Sequence, residues 1–289
     1  MTLPNFLIGG AGKSGTTTLW AVLRRHPQVF MPRVKDVSFF SSDVAPRSVY
    51  HHGLDWYGAL FAGAEGRIAV GEASVAYLYD PESPRLIQKH LGMPRMVFIF
   101  RDPCERTYSH YWQERKRGVR LPPFDDLMQT EPELFERMLR SGRYATHLGR
   151  YLEYFPRERV LALRYEHLRD TPALLYRSVC EFLEIDPAHM PGDTARRSNP
   201  AALPRFDFLE HRVLRSARLL RVARALVPGR LYPWARTALT GLKRLNRVET
   251  AYRPMSSASR ARLLDRFLPE IEGTEQLLGW DLAAWKRIA

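Results

Sequence analysis

An apolar run, Phe6-Leu7-Ile8-Gly9-Gly10, opens into Ala11-Gly12-Lys13-Ser14-Gly15-Thr16-Thr17. A short buried strand followed by glycines, one lysine and a cluster of hydroxyls, then a helix, is how proteins cradle phosphate. The glycines let backbone N–H groups converge on the anion, and the helix N-terminus adds its partial positive charge. The ATP-binding form of this loop needs Gly-x-x-x-x-Gly-Lys-Ser/Thr. Gly12-Lys13-Ser14 supplies the end, but the first glycine falls at Leu7. A dinucleotide fingerprint can be threaded through Gly10, Gly12 and Gly15, with Asp36 near the place of the ribose acid, yet Lys13 is out of character inside it. Alone, the loop points to phosphate without naming its owner, and a plain strand–turn–helix junction competes.

At 289 residues and 45% hydrophobic content the chain can bury one sizeable core, so a single domain over residues 1–289 is expected. No stretch is long enough to cross a bilayer, and the N-terminus turns into structure too soon for a signal peptide. Cys104 and Cys180 make no disulfide framework, and no Cys/His spacing suggests zinc. A cytoplasmic, reduced, metal-independent protein is the default. Net charge is +13, and between Arg205 and Val248 eleven Lys or Arg stand against two acids. Such a segment suits an anionic partner: nucleic acid, a membrane surface or an acidic substrate. The arginines at 212, 215, 218, 221 and 224 recur every three residues, so they creep around a helix, and no aromatic residues interleave with them. That pattern weakens a single-strand nucleic-acid reading and leaves a solvated helix face in contention.

Strand and helix signals alternate through the first two-thirds. Strands are expected at Phe6–Gly9, Ile68–Gly71, Met96–Phe100 and Val160–Leu163. Helices are expected at Thr16–His26, Ser83–Leu91, from Asp102-Pro103 to about Gly118, at Tyr144–Tyr154 and at Pro172–Leu183. This alternation predicts an α/β fold with a central parallel sheet flanked by helices, P-loop NTPase-like, with ligand at the carboxyl ends of the strands. Residues 188–204 read as a linker or surface loop. The basic segment follows, and a helical C-terminal segment closes the chain as two helices, Ala258–Phe267 and Pro269–Leu278, with Trp280 and Trp285 as packing anchors.

Two further signals lie at the same sheet edge. The strand ending at Phe100 delivers Arg101, and the helix behind it carries Ser109; a guanidinium fork and a hydroxyl so placed can converge on one anion. The structural alternative is an Arg-Asp pair capping a helix. Glu72, directly after the strand Ile68–Gly71, is placed to take a proton from a substrate hydroxyl, although a lone acid is more often a structural acceptor.

Together these residues resemble the sulfotransferases that use 3′-phosphoadenosine 5′-phosphosulfate (PAPS). Lys13-Ser14-Gly15-Thr16-Thr17 looks like that family's 5′-phosphosulfate loop. Phe98-Ile99-Phe100-Arg101-Asp102-Pro103, with Glu105-Arg106 and Tyr108-Ser109, is similar to its 3′-phosphate motif. Within the family the likeness is greatest to the heparan-sulfate type, both N-deacetylase/N-sulfotransferase and 3-O-sulfotransferase. It is carried further by Gly142-Arg143-Tyr144-Ala145-Thr146-His147-Leu148, by Tyr154-Phe155-Pro156 and by Lys35-Asp36-Val37-Ser38-Phe39-Phe40. It covers about residues 5–185 and resumes from Tyr252-Arg253-Pro254 to the end.

The resemblance implies roles. Lys13, Ser14, Gly15, Thr16 and Thr17 hold the 5′-phosphosulfate, and Arg101 and Ser109 hold the 3′-phosphate. Tyr252 and Arg253 fall in a C-terminal loop that contacts the nucleotide. Glu72 is the catalytic base, and Lys35 and Asp36 lie near the acceptor. It also implies an organisation: a 5–185 α/β core, a 205–248 basic segment forming part of the acceptor wall, and a 249–289 nucleotide-contacting loop with closing helices. Ala73 replaces a lysine that often follows the base, and Ser38 stands where many relatives have histidine. No counterpart of the Golgi enzymes' anchor or C-terminal disulfide is expected. These departures bear on the acceptor more than on the donor.

The chemistry suits the residues. Sulfuryl transfer is an in-line displacement with a loose transition state, much like phosphoryl transfer. Charge builds on the oxygen bridging sulfur to the departing phosphate, where Lys13 can stabilise it selectively. A sulfuryl group carries less charge than a phosphoryl group, so no metal is expected, and Arg101 rather than an acid ends the strongest strand. His26, His51, His52, His110 and His147 have no context for a base. PAPS is then the donor and PAP (3′-phosphoadenosine 5′-phosphate) the product. The acceptor is a hydroxyl on a carbohydrate or on a glycosylated or lipid small molecule. No nucleic-acid partner is expected, and peripheral membrane contact through 205–248 is one use of the basic segment. The alternatives are a P-loop kinase or ATP-binding enzyme and a basic nucleic-acid-binding protein.

Overall fold

The computed structural model describes residues 1–42, 48–189 and 253–288, with the backbone of Leu203–Pro204 and Arg247–Val248. Five strands form one parallel sheet in the order β2-β3-β1-β4-β5. They are β1 (Phe6–Gly10), β2 (Val29–Phe30), β3 (Ala69–Ala73), β4 (Arg95–Phe100) and β5 (Val160–Arg164). Every residue of β1 is buried, because β3 and β4 flank it and helices cover both faces. Side chains alternate accordingly. Phe6, Ile8, Val97 and Ile99 face a core built with α1 (Thr16–Leu23), whereas Leu7, Met96, Phe98 and Phe100 face a second core containing Tyr144, Tyr151 and Phe267. The chain leaves β1, visits β2 and β3 on one side, then crosses to β4 and β5 on the other. The loop after β1 therefore opens at the switch point where such sheets bind ligands.

Between β2 and β3 lies α2 (Gly53–Ala59), and α3 (Ala76–Tyr79) and α4 (Ser83–Leu91) follow β3. Behind β4 runs α5 (Pro103–Lys116), capped as its sequence predicts: Asp102 Oδ1 accepts the N–H groups of Cys104 at 2.8 Å and Glu105 at 3.3 Å. α6 (Leu127–Thr130) and α7 (Pro132–Arg140) lead to α8 (Tyr144–Tyr154), and α9 (Tyr165–Asp170) and α10 (Pro172–Leu183) follow β5.

Two expectations are corrected. The strand expected at Ile68–Gly71 is Ala69–Ala73, because pairing with β1 continues through Leu7↔Glu72 and Ile8↔Ala73, and Ile68 is left outside the ladder and exposed. The two closing helices are one helix, Ser257–Leu278, with Pro269 inside it. Proline removes one backbone bond and crowds the preceding turn, which costs about 3 kcal/mol. Burial of Leu263, Phe267 and Ile271 on that helix outweighs the loss. The helix is tied to the start of α5 by a buried ion pair, Arg260 Nη2 to Asp102 Oδ2 at 2.7 Å. Trp285 is buried, while Trp280 is half-buried with its ring edge-on to Phe100. β6 (Leu203–Pro204) pairs antiparallel with β7 (Arg247–Val248). The expected linker from 190 on, the rest of the basic segment and Tyr252 lie outside the described residues.

Candidate active site

The loop between β1 and α1 is shaped for an anion. Gly15 sits at φ 91°, and a Cβ there would come within 2.4 Å of Leu168, so only glycine fits. Lys13 also adopts the left-handed region, at φ 73°, a conformation that costs a non-glycine residue about 1–2 kcal/mol. No described residue accepts from the N–H groups of Lys13, Gly15, Thr16 or Thr17. The Ser14 hydroxyl is fully buried and has no partner among the described residues. Four backbone donors and one hydroxyl thus converge on a helix start, with Thr16 buried behind them.

Cations surround this loop. Arg101 Nη1 donates to the Lys13 carbonyl at 3.5 Å, its Nη2 reaches Glu105 Oε2 at 3.3 Å, and its guanidinium lies over the Tyr165 ring at 4.9 Å. Arg106, one turn into α5, is 1% exposed and forms no ion pair among the described residues; it donates to Thr107 Oγ1 and the Met138 carbonyl. Burial, then the charges of Lys116, Arg101, Arg117 and Arg106, push the Lys13 ammonium down to about 8. Burial, then the charges of Arg106, Lys13, Arg117 and Arg137, push His110 down to about 3. Ser109 lies one turn beyond Glu105 on the same face of α5, half-buried. Arg101 and Ser109 therefore flank Glu105. Arg253 comes to the same helix, where its carbonyl accepts the Tyr108 hydroxyl at 2.7 Å.

Glu72 is not at the strand's edge but inside β3, 1% exposed. Three hydroxyls donate to it: Tyr57 at 3.2 Å and Tyr77 to Oε1, and Ser74 at 2.7 Å to Oε2. Burial raises its pKa to about 6 against the lowering effect of those hydrogen bonds. The segment expected near the acceptor is strapped over the same strand end. Asp36 N–H donates to the Ala73 carbonyl at 2.8 Å, Asp36 Oδ1 accepts the Val75 N–H at 3.2 Å, and Ser38 N–H donates to Ser74 Oγ at 2.9 Å. Lys35 Nζ pairs with Asp36 Oδ1 at 2.9 Å; the lysine side chain is 12% exposed and the aspartate 48%. Lys35 and Asp36 are thereby brought to the end of the strand that carries the buried Glu72.

Several partners escaped sequence reading. Ser74 had a signal, since a residue two along a strand points to the same side as Glu72. Tyr57, Tyr77, Tyr165 and Tyr79 had none, because distant turns bring them in; the Tyr79 hydroxyl accepts the Gly12 N–H at 2.7 Å. The histidines are structural where they are bonded: His26 pairs with the Asp186 carbonyl and His147 with that of Arg140, at 2.9 and 2.8 Å.

Known proteins are similar to this chain. The family described as sulfotransferase domain matches residues 3–197. The bifunctional heparan sulfate N-deacetylase/N-sulfotransferase 3 of Mus musculus is 31% identical over 199 residues, 64% of this chain and 23% of the relative. The membrane-associated sulfotransferase kil1 of Dictyostelium discoideum is 30% identical over 150 residues, 49% of this chain and 31% of its own. The chain thus spans less than a third of the length of either. A solved sulfotransferase from Alicyclobacillus acidocaldarius matches 99% of this chain and 100% of its own with a TM-score of 0.74 at 24% identity, a likeness of fold. Among the described residues no helix is long and apolar enough to cross a membrane. With the strand–loop–helix cradle, the Arg101 strand end and a family match over two-thirds of its residues, this chain belongs to the sulfotransferase domain family.

Proposed function

We propose that the chain transfers a sulfuryl group from PAPS to a hydroxyl of a carbohydrate or of a glycosylated or lipid small molecule, releasing PAP. The observation that carries this is the loop itself. A half-buried ammonium held low by desolvation and by neighbouring cations, beside a buried hydroxyl with no partner among the described residues and unused backbone donors, fits an anion of more than one charge. When bound, PAPS supplies an activated sulfuryl group on a phosphate. Lys13, Ser14, Gly15, Thr16 and Thr17 hold its 5′ end, Arg101 and Ser109 hold its 3′-phosphate, and the loop at Tyr252 and Arg253 contacts the nucleotide. Lys13 neutralises charge on the bridging oxygen as the S–O bond breaks. Cys104 and Cys180 are buried, and among the described residues they form no disulfide, which suits a reducing, cytoplasmic setting.

The acceptor's proton needs a carboxylate at the β3 edge. Glu72, poised near 6, has the basicity for it, but its oxygens are enclosed by three hydroxyls. That enclosure favours a second reading, in which Asp36, exposed at the same edge and steadied by Lys35 and the Val75 N–H, touches the acceptor while Glu72 holds the Ser38–Ser74 strap in place. The heparan sulfate named for the murine relative supports a saccharide acceptor. The test is transfer of labelled sulfate from PAPS onto extract fractions of the source organism, followed by mass identification of the product. Label appearing only with ATP, or PAPS-independent turnover, sinks the proposal.

A further inference from the structure

Lys13 holds an unfavourable backbone conformation, so something must impose it. Two side chains grip the loop before and after Lys13: Tyr79 at the N–H of Gly12, one peptide upstream, and Arg101 at the Lys13 carbonyl. Arg101 belongs to the expected nucleotide site, but Tyr79 has no place in it. Tyr79 ends α3, which is pressed onto the loop so closely that a Cβ on Gly10 would come within 2.8 Å of Leu78, and one on Gly12 within 3.2 Å of the Tyr79 oxygen. The buried Arg106 stands close enough that its charge acts on the Tyr79 phenol. A cation on one side and the Gly12 N–H on the other favour the phenol oxygen as the acceptor for Gly12.

We propose that Tyr79, backed by Arg106, is a positioning residue that locks the loop so that Lys13 is presented to the bound anion. Its use in sulfuryl transfer rests on the reading of the loop as a PAPS site, but the mechanical claim does not. Tyr79→Phe removes one oxygen and keeps the ring that packs edge-on against His147 at 5.5 Å, so the variant folds.

The experiment has two arms. The first labels lysines of the unliganded protein with an amine-acylating reagent across a pH series and reads Lys13 by mass spectrometry. In the wild type burial, and then the charges of Lys116, Arg101, Arg117 and Arg106, hold the Lys13 ammonium down at about 8. In Y79F its midpoint rises by about one pH unit as the freed loop lets the ammonium reach water. The second arm measures PAP affinity by calorimetry in the wild type, Y79F, Lys13→Ala and the double variant. Y79F weakens PAP about tenfold alone and less than about twofold when Lys13 is already absent. An unchanged Lys13 midpoint, or equal losses in both backgrounds, overturns the inference. A wild type that binds no PAP overturns the donor reading alone, and the labelling arm then still decides on Tyr79.

Discussion

The Ser74 hydroxyl donates to Glu72 Oε2 at 2.7 Å while its oxygen accepts the Ser38 N–H at 2.9 Å, so a carboxylate buried in the sheet is coupled to the strap at 35–42. The coupling has a thermodynamic signature. Glu72 is raised from 4.5 to about 6 on folding, chiefly by burial. Between those values the native state keeps a proton that the unfolded chain has released. The stability this contributes is full below 4.5 and is lost as pH rises through 6, about 2 kcal/mol in all. Chemical denaturation of Glu72→Gln shows this slope missing; a slope equal to that of the wild type contradicts the burial argument.

Asp36→Asn and Glu72→Gln separate the two carboxylates. Removing the group that takes the acceptor's proton lowers kcat by about 10²–10⁴-fold. If Asp36 touches the acceptor, D36N takes the full loss at saturating PAPS, and E72Q loses less while loosening acceptor KM through the strap. If Glu72 is the base the order reverses, and its acid limb near pH 6 disappears with the substitution.

Lys13→Met should trade function for stability. Folding depresses this ammonium from 10.5 to about 8, so protonated Lys13 destabilises the unliganded protein below 8 and the penalty fades as pH climbs to 10.5. At pH 7 the variant melts higher, by about 2 kcal/mol once solvent screening is allowed for, and the advantage shrinks in alkali. A variant that melts lower at neutral pH rules out the crowded-cation account. In the active enzyme, kcat/KM for PAPS falls with a basic limb near 8, the value for the free protein.

Pro269→Ala restores the missing bond inside the closing helix at an exposed position. The expected gain is about 1–3 kcal/mol, read as a higher melting temperature with activity unchanged. No gain means that the helix is already adapted to the proline.

What could be read in advance followed local chemistry. The cradle of Gly12, Lys13 and Gly15, the Asp102–Pro103 helix start and the boundaries of α8 and α10 stand where the residue types placed them. Glu72 could not be placed, because its strand length depends on pairing with β1, and its three donors come from α2, α3 and the turn before α3. The unbroken closing helix was hidden for a similar reason. Proline predicts a break locally, while the buried face of Leu263, Phe267 and Ile271 opposes it only once α8 is in place. Tyr79 carries no local mark, since its partner Gly12 is 67 residues away.

The central claim is that the Lys13 loop and Arg101 form one site for a doubly phosphorylated adenosine. Calorimetric titration of the purified chain with PAP, beside Arg101→Ala and adenosine 5′-monophosphate as controls, addresses it most directly. The account predicts saturable 1:1 binding of PAP in the micromolar range, weakened about a hundredfold or more by R101A, with adenosine 5′-monophosphate binding far more weakly than PAP to the wild type. PAP binding no tighter than that of the monophosphate, or unaffected by R101A, would contradict it.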